Sequence, residues 1–487
     1  MFAAAMNKLF LYIVFSGLFL ISIFSETGCA NIVPPSGGPR DSLAPVLVAT
    51  NPKDSALNVN TQKITLVFNE FVNSLTTASE KILISPFPAK TPMYESKLKT
   101  VTVRLKDSLL PNTTYSIDFG DAISDLNENN ILKNFRFTFS TGPTIDTNEL
   151  RGKIILAETG TTDSTMYALL YTKQEDSTVA KETPRYVARV DAKGNFHFTN
   201  LPGGTFFVYA LLDADGNKKY NQPFEQFAFL DSPVVINASA KPVLLYAYAA
   251  EKEKKREAAE TFAKGELKTL KHTSNIESNT FDFLDSLELS YKKPIRKLDV
   301  SKISLVQDSA TDITDFYIRN DSINKKLIIQ TSWKQGSQYI LYLNKEYATD
   351  SSGLAAAKND TLKFRVKTEK EYGTVRVRFK NVDTAANPVL LVYANNQFVA
   401  GYPFNGKEFY SKLFKPGSYN LAILYDKNQN GIWDPGEYFA KQKRQPEIVT
   451  KIHASLTIKA NWDNETNIDM NQPPPAPKET GQRQDGF

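Results

Sequence analysis

The residues whose types and spacing could do chemistry lie in Asp426-Lys427-Asn428-Gln429-Asn430-Gly431-Ile432-Trp433-Asp434-Pro435-Gly436-Glu437. Asp426, Asn428 and Asn430 alternate, Gly431 holds the sixth place, Asp434 the ninth and Glu437 the twelfth. That is the spacing of an oxygen-lined loop around a hard cation, and calcium is the ion it suits. Alternate side chains turn toward one centre, glycine permits the bend, the Ile432 carbonyl adds an oxygen and the last Glu chelates with two. A weaker copy stands 213 positions earlier, where Asp213, Asp215, Asn217 and Asn221 match Asp426, Asn428, Asn430 and Asp434. Its glycine, Gly216, falls at the fourth place and its Glu225 comes one residue late, so it reads as degraded or differently coordinated. The alternative for both is a plain turn, because Asp, Asn and Gly tolerate left-handed backbone.

No other constellation reaches this level. His197, His272 and His453 are isolated, and G-x-S-x-G, HExxH and phosphate-cradling glycine loops are missing, so no catalytic residue is assigned and the chain is not expected to be an enzyme. Trp433, Tyr438 and Phe439 either pin the loop to its domain or offer an aromatic platform to a glycan; pinning is the preferred reading. The balance of 58 basic to 53 acidic residues, with no basic block interleaved with aromatics, gives no footprint for nucleic acid.

The elements that position these loops read as strands. Lys63–Asn69, Thr100–Leu105, Tyr115–Phe119 and Phe135–Phe139 alternate apolar and polar residues, and clusters of Asn, Pro, Gly and Asp separate them. A length of 487 residues with 41% hydrophobic content calls for several cores. The expected fold class is all-β: tandem antiparallel β-sandwiches, with a short charged helix or linker between two halves.

The stretch Ala44–Leu47, Asn51–Val59, Ile64–Val72, Leu110–Tyr115, Asp125 and Phe135–Thr141 resembles the bacterial Ig-like domain of the SbsA type. The strands around Leu201-Pro202-Gly203-Gly204 are similar to the prealbumin-like or carboxypeptidase-regulatory sandwich. Both kinds return. Ile303–Val306, Tyr339, Asp350 and Leu362–Thr368 echo the first, while Phe409, Phe414, Gly417, Tyr419 and Asp426 follow Phe196, Leu201, Gly204, Phe206 and Asp213 at the constant spacing of 213. Tyr372-Gly373-Thr374-Val375 is matched to Arg151-Gly152-Lys153-Ile154. The expected order is a signal peptide over 1–28, a lipidated tether over 29–44, an SbsA-type Ig-like domain over 45–143 and a prealbumin-like sandwich over 149–247. A charged linker over 248–275, a second Ig-like domain over 276–369, a second prealbumin-like sandwich over 371–465 and a disordered tail over 466–487 complete it. Short links suggest a string of domains.

Lys8 before the apolar run Leu9–Phe24 has the form of a secretory signal. The run ends in Thr27-Gly28-Cys29, and Cys29 is the only cysteine. This resembles a bacterial lipobox, although Glu26 departs from the usual apolar residue there. The resemblance implies lipidation of Cys29 and anchorage in the outer membrane, on a face the sequence does not fix. The functional expectation is a structural or binding role in the cell envelope, with envelope proteins or glycans as partners. A surface glycan-binding or adhesive protein is the second reading and an envelope hydrolase the third.

Overall fold

The computed structural model describes residues 40–75, 81–251, 269–308 and 311–471, together with Ser16. The signal segment, Cys29, most of the charged linker and the tail beyond Asn471 lie outside the described residues. Among those described, no helix is long and apolar enough to cross a membrane. The fold is all-β, in tandem sandwiches.

Two compact units are present. One comprises Lys90–Leu110, Ser116–Thr141 and the described residues up to Leu83; the other comprises Ile84–Ala89, Pro111–Tyr115 and those from Gly142 onward.

The first sandwich contains β1 (Leu47–Asn51), β2 (Lys63–Phe68), β3 (Leu83–Ser85), β4 (Met93–Lys97), β5 (Thr100–Arg104), β6 (Thr114–Gly120) and β7 (Phe135–Ser140). Its sheets run β1-β2-β5-β4 and β3-β6-β7. Alternation decides which face is inside: Ile64, Leu66 and Phe68 of β2 are buried, as are Val101 and Val103 of β5. Asp125, also buried, turns the chain toward β7 by accepting the amides of Glu128 (2.8 Å) and Asn129 (2.6 Å).

The second sandwich contains β8 (Asn148–Leu156), β9 (Tyr167–Tyr171), β10 (Tyr186–Arg189), β11 (Asn195–Leu201), β12 (Gly204–Leu211), β13 (Phe227–Phe229), β14 (Val234–Ile236) and β15 (Val243–Ala247). One sheet runs β10-β9-β12-β13, with β14 also on β12, and the other runs β11-β8-β15. The third contains β16 (His272–Ser274), β17 (Thr280–Phe281), β18 (Leu287–Tyr291), β19 (Ile295–Leu298), β20 (Ile303–Gln307), β21 (Thr311–Ile313), β22 (Tyr317–Asp321), β23 (Lys326–Gln330), β24 (Gln338–Leu343), β25 (Ala348–Asp350) and β26 (Asp360–Val366). Its sheets β16-β18-β23-β22 and β17-β26-β24-β20-β21 repeat the two-sheet plan of the first sandwich. Asp350 repeats the role of Asp125, accepting the amides of Ser352 (2.8 Å) and Leu354 (3.0 Å). Its first strand holds His272, which the sequence assigns to the linker.

The fourth sandwich contains β27 (Gly373–Lys380), β28 (Pro388–Ala394), β29 (Gln397–Pro403), β30 (Glu408–Phe414), β31 (Gly417–Tyr425), β32 (Ile448–Ile458) and β33 (Asp463–Asp469). Its sheets, β29-β28-β31-β32 and β30-β27-β33, have the strand order of the second sandwich, including a parallel pairing of the first and last strands. Gly204 and Gly417 open β12 and β31 with φ of +152° and +156°, where a side chain is strained.

Two further readings need correction. β33 runs to Asp469, past the expected end at 465, because parallel pairing with β27 holds a strand whose only buried apolar residue is Ile468. The match of Gly373 to Gly152 also fails in register. Gly152 pairs with Phe196, whereas Gly373 pairs with Phe414 and it is Val377 that pairs with Phe409. Gly373 therefore takes the place of Asn148.

The third and fourth sandwiches are joined by a tight polar seam. Arg365 at the end of β26 grips Glu371 with two hydrogen bonds, 2.7 and 2.8 Å, and Thr368 N–H adds a third at 2.9 Å. Tyr372 donates to Asp282, and Lys415 Nζ lies 3.0 Å from Asp282 and 2.6 Å from Asp285. The Arg365 guanidinium lowers the Glu371 carboxyl from 4.5 to about 2. A depressed pKa means that the contribution of Glu371 is full above about 4.5 and fades as pH falls toward about 2. The stability gap between wild type and Glu371→Gln, followed by urea unfolding at stepped pH, should therefore narrow across that window. A gap independent of pH would contradict the pairing.

Candidate functional site

The two oxygen-rich loops follow equivalent strands, β12 and β31, and their backbones bend alike. Positive φ occurs at Gly216 (+79°) and Lys218 (+57°) in the first, and at Gln429 (+61°) and Gly431 (+76°) in the second. Both pairs are 213 positions apart, so each loop needs two left-handed residues and places its glycine at a different one of them. The shifted glycine that makes the first loop look degraded is thus an exchange within one backbone shape.

The terminal carboxylate is a second correction. Glu437 is exposed, and its backbone bridges to Arg444 rather than closing the loop. The loop is closed by Glu447, buried at 4% exposure, whose Oε1 accepts Lys427 N–H at 2.7 Å and whose Oε2 accepts Asp434 N–H at 3.1 Å. In the first loop Glu225, 1% exposed, does the same for Ala214 N–H (3.2 Å) and Asn221 N–H (3.4 Å). Ala214 and Asn221 lie 213 positions before Lys427 and Asp434, so Glu225 corresponds to Glu447. Glu447 lies 222 positions after Glu225, so nine extra residues separate Asp434 from its glutamate. Spacing alone picked Glu437 because the insertion happens to place a Glu at the twelfth position. The missed signal was the late Glu225, which marks where the functional glutamate stands.

The loops differ in charge. Carboxylate oxygens of Asp213, Asp215 and Glu225 lie within 4.8 Å of one another. Burial raises the Glu225 pKa, the amides of Ala214, Gln222 and Asn221 oppose this, and the charge of Asp215 adds to it. Lys218 answers this crowding with its Nζ 2.6 Å from Asp213 Oδ2 and 4.1 Å from the Tyr167 ring centroid. The first loop carries its own cation. Asn217 stays on the loop through the Lys219 amide at 2.6 Å, and Asn221 offers its own amide to Glu225.

At the position equivalent to Lys218 the second loop has Gly431. Asp426, 2% exposed, accepts only backbone amides, those of Gln429 and Gly431, each at 2.7 Å. Asn428 and Asn430 turn their amide groups onto Asp434 at 2.6 and 2.8 Å. Turning each side-chain amide over would present its oxygen instead, so Asp426, Asn428, Asn430, Asp434 and Glu447 form an oxygen set that fits a hard cation. Ile432 is exposed, and its amide bonds Asn430. Trp433 is half-buried, donates its indole N–H to Glu447 O at 2.8 Å, and packs against Val389, Leu391, Ala422, Leu424 and Val449. It pins the loop.

The nine-residue insertion forms a clamp on the second sandwich. Tyr438, 2% exposed, places its ring 5.1 Å edge-on from both Phe227 and Phe229, and its hydroxyl 3.1 Å from that of Tyr209. Phe439 stacks on Tyr220 at 5.7 Å. Lys443 lies over the Tyr438 ring and pairs with Asp176, while Gln445 bonds Phe229 O at 3.1 Å and Asp231 at 2.9 Å. Val449 N–H reaches Ala157 O at 2.8 Å, and Gly436 lies so close to Tyr248 that a Cβ would meet its ring at 2.5 Å. Domains touching only their chain neighbours are therefore not what the second unit contains.

A family model described as a bacterial Ig-like domain, Big_5, matches residues 41–141. That is the first sandwich. No curated protein matches the chain. Among solved structures, the N-terminal part of the bacterial S-layer protein SbsC is similar at 15% identity over 36% of this chain and 42% of that one, with a TM-score of 0.16. This chain thus spans less than half of that fragment. The Bacillus anthracis TIE protein is similar at 11% identity over 89% and 76%, TM-score 0.16, and BcpA, the major pilin subunit of Bacillus cereus, at 10% over 66% and 99%, TM-score 0.16. Likenesses of this degree carry no argument about what the chain does.

Removing the Tyr438 ring leaves a hole among Phe227, Phe229 and Tyr209. Tyr438→Ala should cost about 3 kcal/mol and expose β13 to hydrogen exchange. Unchanged exchange at Phe227–Phe229 would contradict the clamp.

Proposed function

We propose that the chain is an exported, lipid-anchored protein of the bacterial envelope whose sandwiches do structural or binding work without catalysis. The observation that supports this most is the clamp. The nine-residue insertion, through Tyr438 and Phe439, fixes one sandwich against another, which suits a part that must hold its geometry under load. In this reading Cys29 is the lipidated residue, the envelope is the outer membrane, and the partners are envelope proteins or glycans. The two prealbumin-like sandwiches derive from one duplicated unit, a reading supported by their shared strand order and paired loop backbones. Radiolabelled palmitate should enter the wild type in cells and not Cys29→Ala. Equal labelling of both would remove the anchor from this account.

Calcium is proposed as a brace in the second loop, held by Asp426, Asn428, Asn430, Asp434 and Glu447. Supporting it is the contrast with the first loop, where Lys218 already pairs with Asp213. Calcium bound only by the folded loop raises stability in proportion to the logarithm of its concentration. In a calcium titration of the full chain, the melting temperature should rise, Glu447→Gln should abolish the rise and Glu437→Gln should keep it. A wild type indifferent to calcium would leave only the turn.

A further inference from the structure

The first sandwich gathers six exposed apolar side chains at one end. Pairing of Leu47 with Phe68, Val67 with Thr100 and Lys97 with Thr100 brings the start of β1, the end of β2 and the β4–β5 turn together. The β6–β7 connection joins them, since Leu126 N–H donates to Phe71 O at 3.0 Å and Val72 bridges to Asp125. Leu43, Val46, Phe71, Leu98, Leu126 and Ile131 are the exposed residues here. Charges at this end nearly cancel, with Lys97, Lys99 and Lys133 set against Asp41, Glu70 and Glu128.

Leu98 is 66% exposed at the tip of the two-residue turn between β4 and β5, with φ of +56°, a position that Gly, Asn or Asp normally takes. Among the described residues it is the only apolar side chain held in left-handed backbone. A leucine there strains the turn and gains little from burial, so stability does not account for it.

The chain also enters at this end. Asn130 donates its side-chain amide to Asp41 O at 3.1 Å, which seats the entering segment beside the β6–β7 connection. Eleven residues lead from Cys29 to Arg40, a span of at most about 40 Å. The opposite end, where β2 begins and β5 finishes, exposes Met93 in ordinary strand backbone.

We infer that the entry end of the first sandwich is a bilayer-docking surface, with Leu98 and Phe71 entering the interfacial layer of the membrane that holds Cys29. This rests on the lipid anchor proposed above. The anchor keeps the end within the reach of the entering segment, and at that local concentration a few shallow apolar side chains suffice to dock it. Because the charges nearly cancel, the surface suits zwitterionic phospholipid.

The test uses Leu98→Cys and Met93→Cys of the full chain, each purified from cell envelopes after palmitate labelling. Lipidation consumes the only native thiol, so a thiol-reactive fluorophore marks the introduced site alone. In phosphatidylcholine vesicles carrying nitroxide lipids, the probe at 98 should lose emission and the probe at 93 should keep it. Leu98→Asn suits the turn better and should melt no lower than the wild type. Palmitate in the protein without quenching at 98, or equal quenching at both sites, would end the docking and leave the anchor standing. Shielding of the probe at 98 without quenching would give this surface to another part of the chain and overturn the inference, as would a lower melting temperature for Leu98→Asn. A chain without palmitate would remove both readings.

Discussion

The seating of Tyr438 among Phe227, Phe229 and Tyr209 is the contact on which the second unit depends. Without it the outer side of β12 and β13 would expose a sheet of large aromatic side chains, an exposure that soluble domains avoid. The second sandwich is therefore buried on both sides of one sheet, and the fourth sandwich supplies the cover. Burying such a ring contributes about 2 to 3 kcal/mol, and the ion pair and amide bonds around it fix its direction more than its strength. The fourth sandwich has nine more residues at this turn than the second, and those residues hold the two together.

The turn itself is held by a buried glutamate in both copies. Glu225 clasps three backbone amides and Glu447 two, with both ends of the loop represented in each, and so a flexible connection becomes a closed ring. Asp125 and Asp350 do comparable work in the two Ig-like sandwiches. A repeated device, one buried carboxylate on several backbone amides, sets the corners of all four sandwiches. Charge then separates the two loops: a lysine paired with Asp213 in the first, and in the second an oxygen set that makes no ion pair among the described residues.

Much of the fold was legible because strand period and turn residues report directly on which face is buried. The constant spacing from Phe196 and Phe409 to Asp213 and Asp426 revealed the related sandwiches, and β11, β12, β30 and β31 occupy those stretches. Spacing stopped being a guide where insertion changed it. Residue type matches Gly373 to Gly152, yet strand register pairs it with Phe414, and counting to the twelfth position reaches Glu437, whereas the loop is closed by Glu447. β33 was missed in part because its single buried Ile468 gives no alternation. Tyr438 could not be placed from sequence, since its partners lie more than two hundred positions away and belong to another sandwich.

The claim that the insertion locks the second and fourth sandwiches together rests on residues distant in sequence and touching in space. Lys443 Nζ and the Asp176 carboxylate, 267 positions apart, form an ion pair at 2.5 Å. A carbodiimide joins an amine to a carboxylate only when the two are already in contact, with no spacer added. Treating the folded protein with it and digesting should yield a peptide pair linked through Lys443 and Asp176, at dilution where links between molecules vanish. Recovery of other close pairs, such as Lys173 with Glu182, without this one would contradict the account.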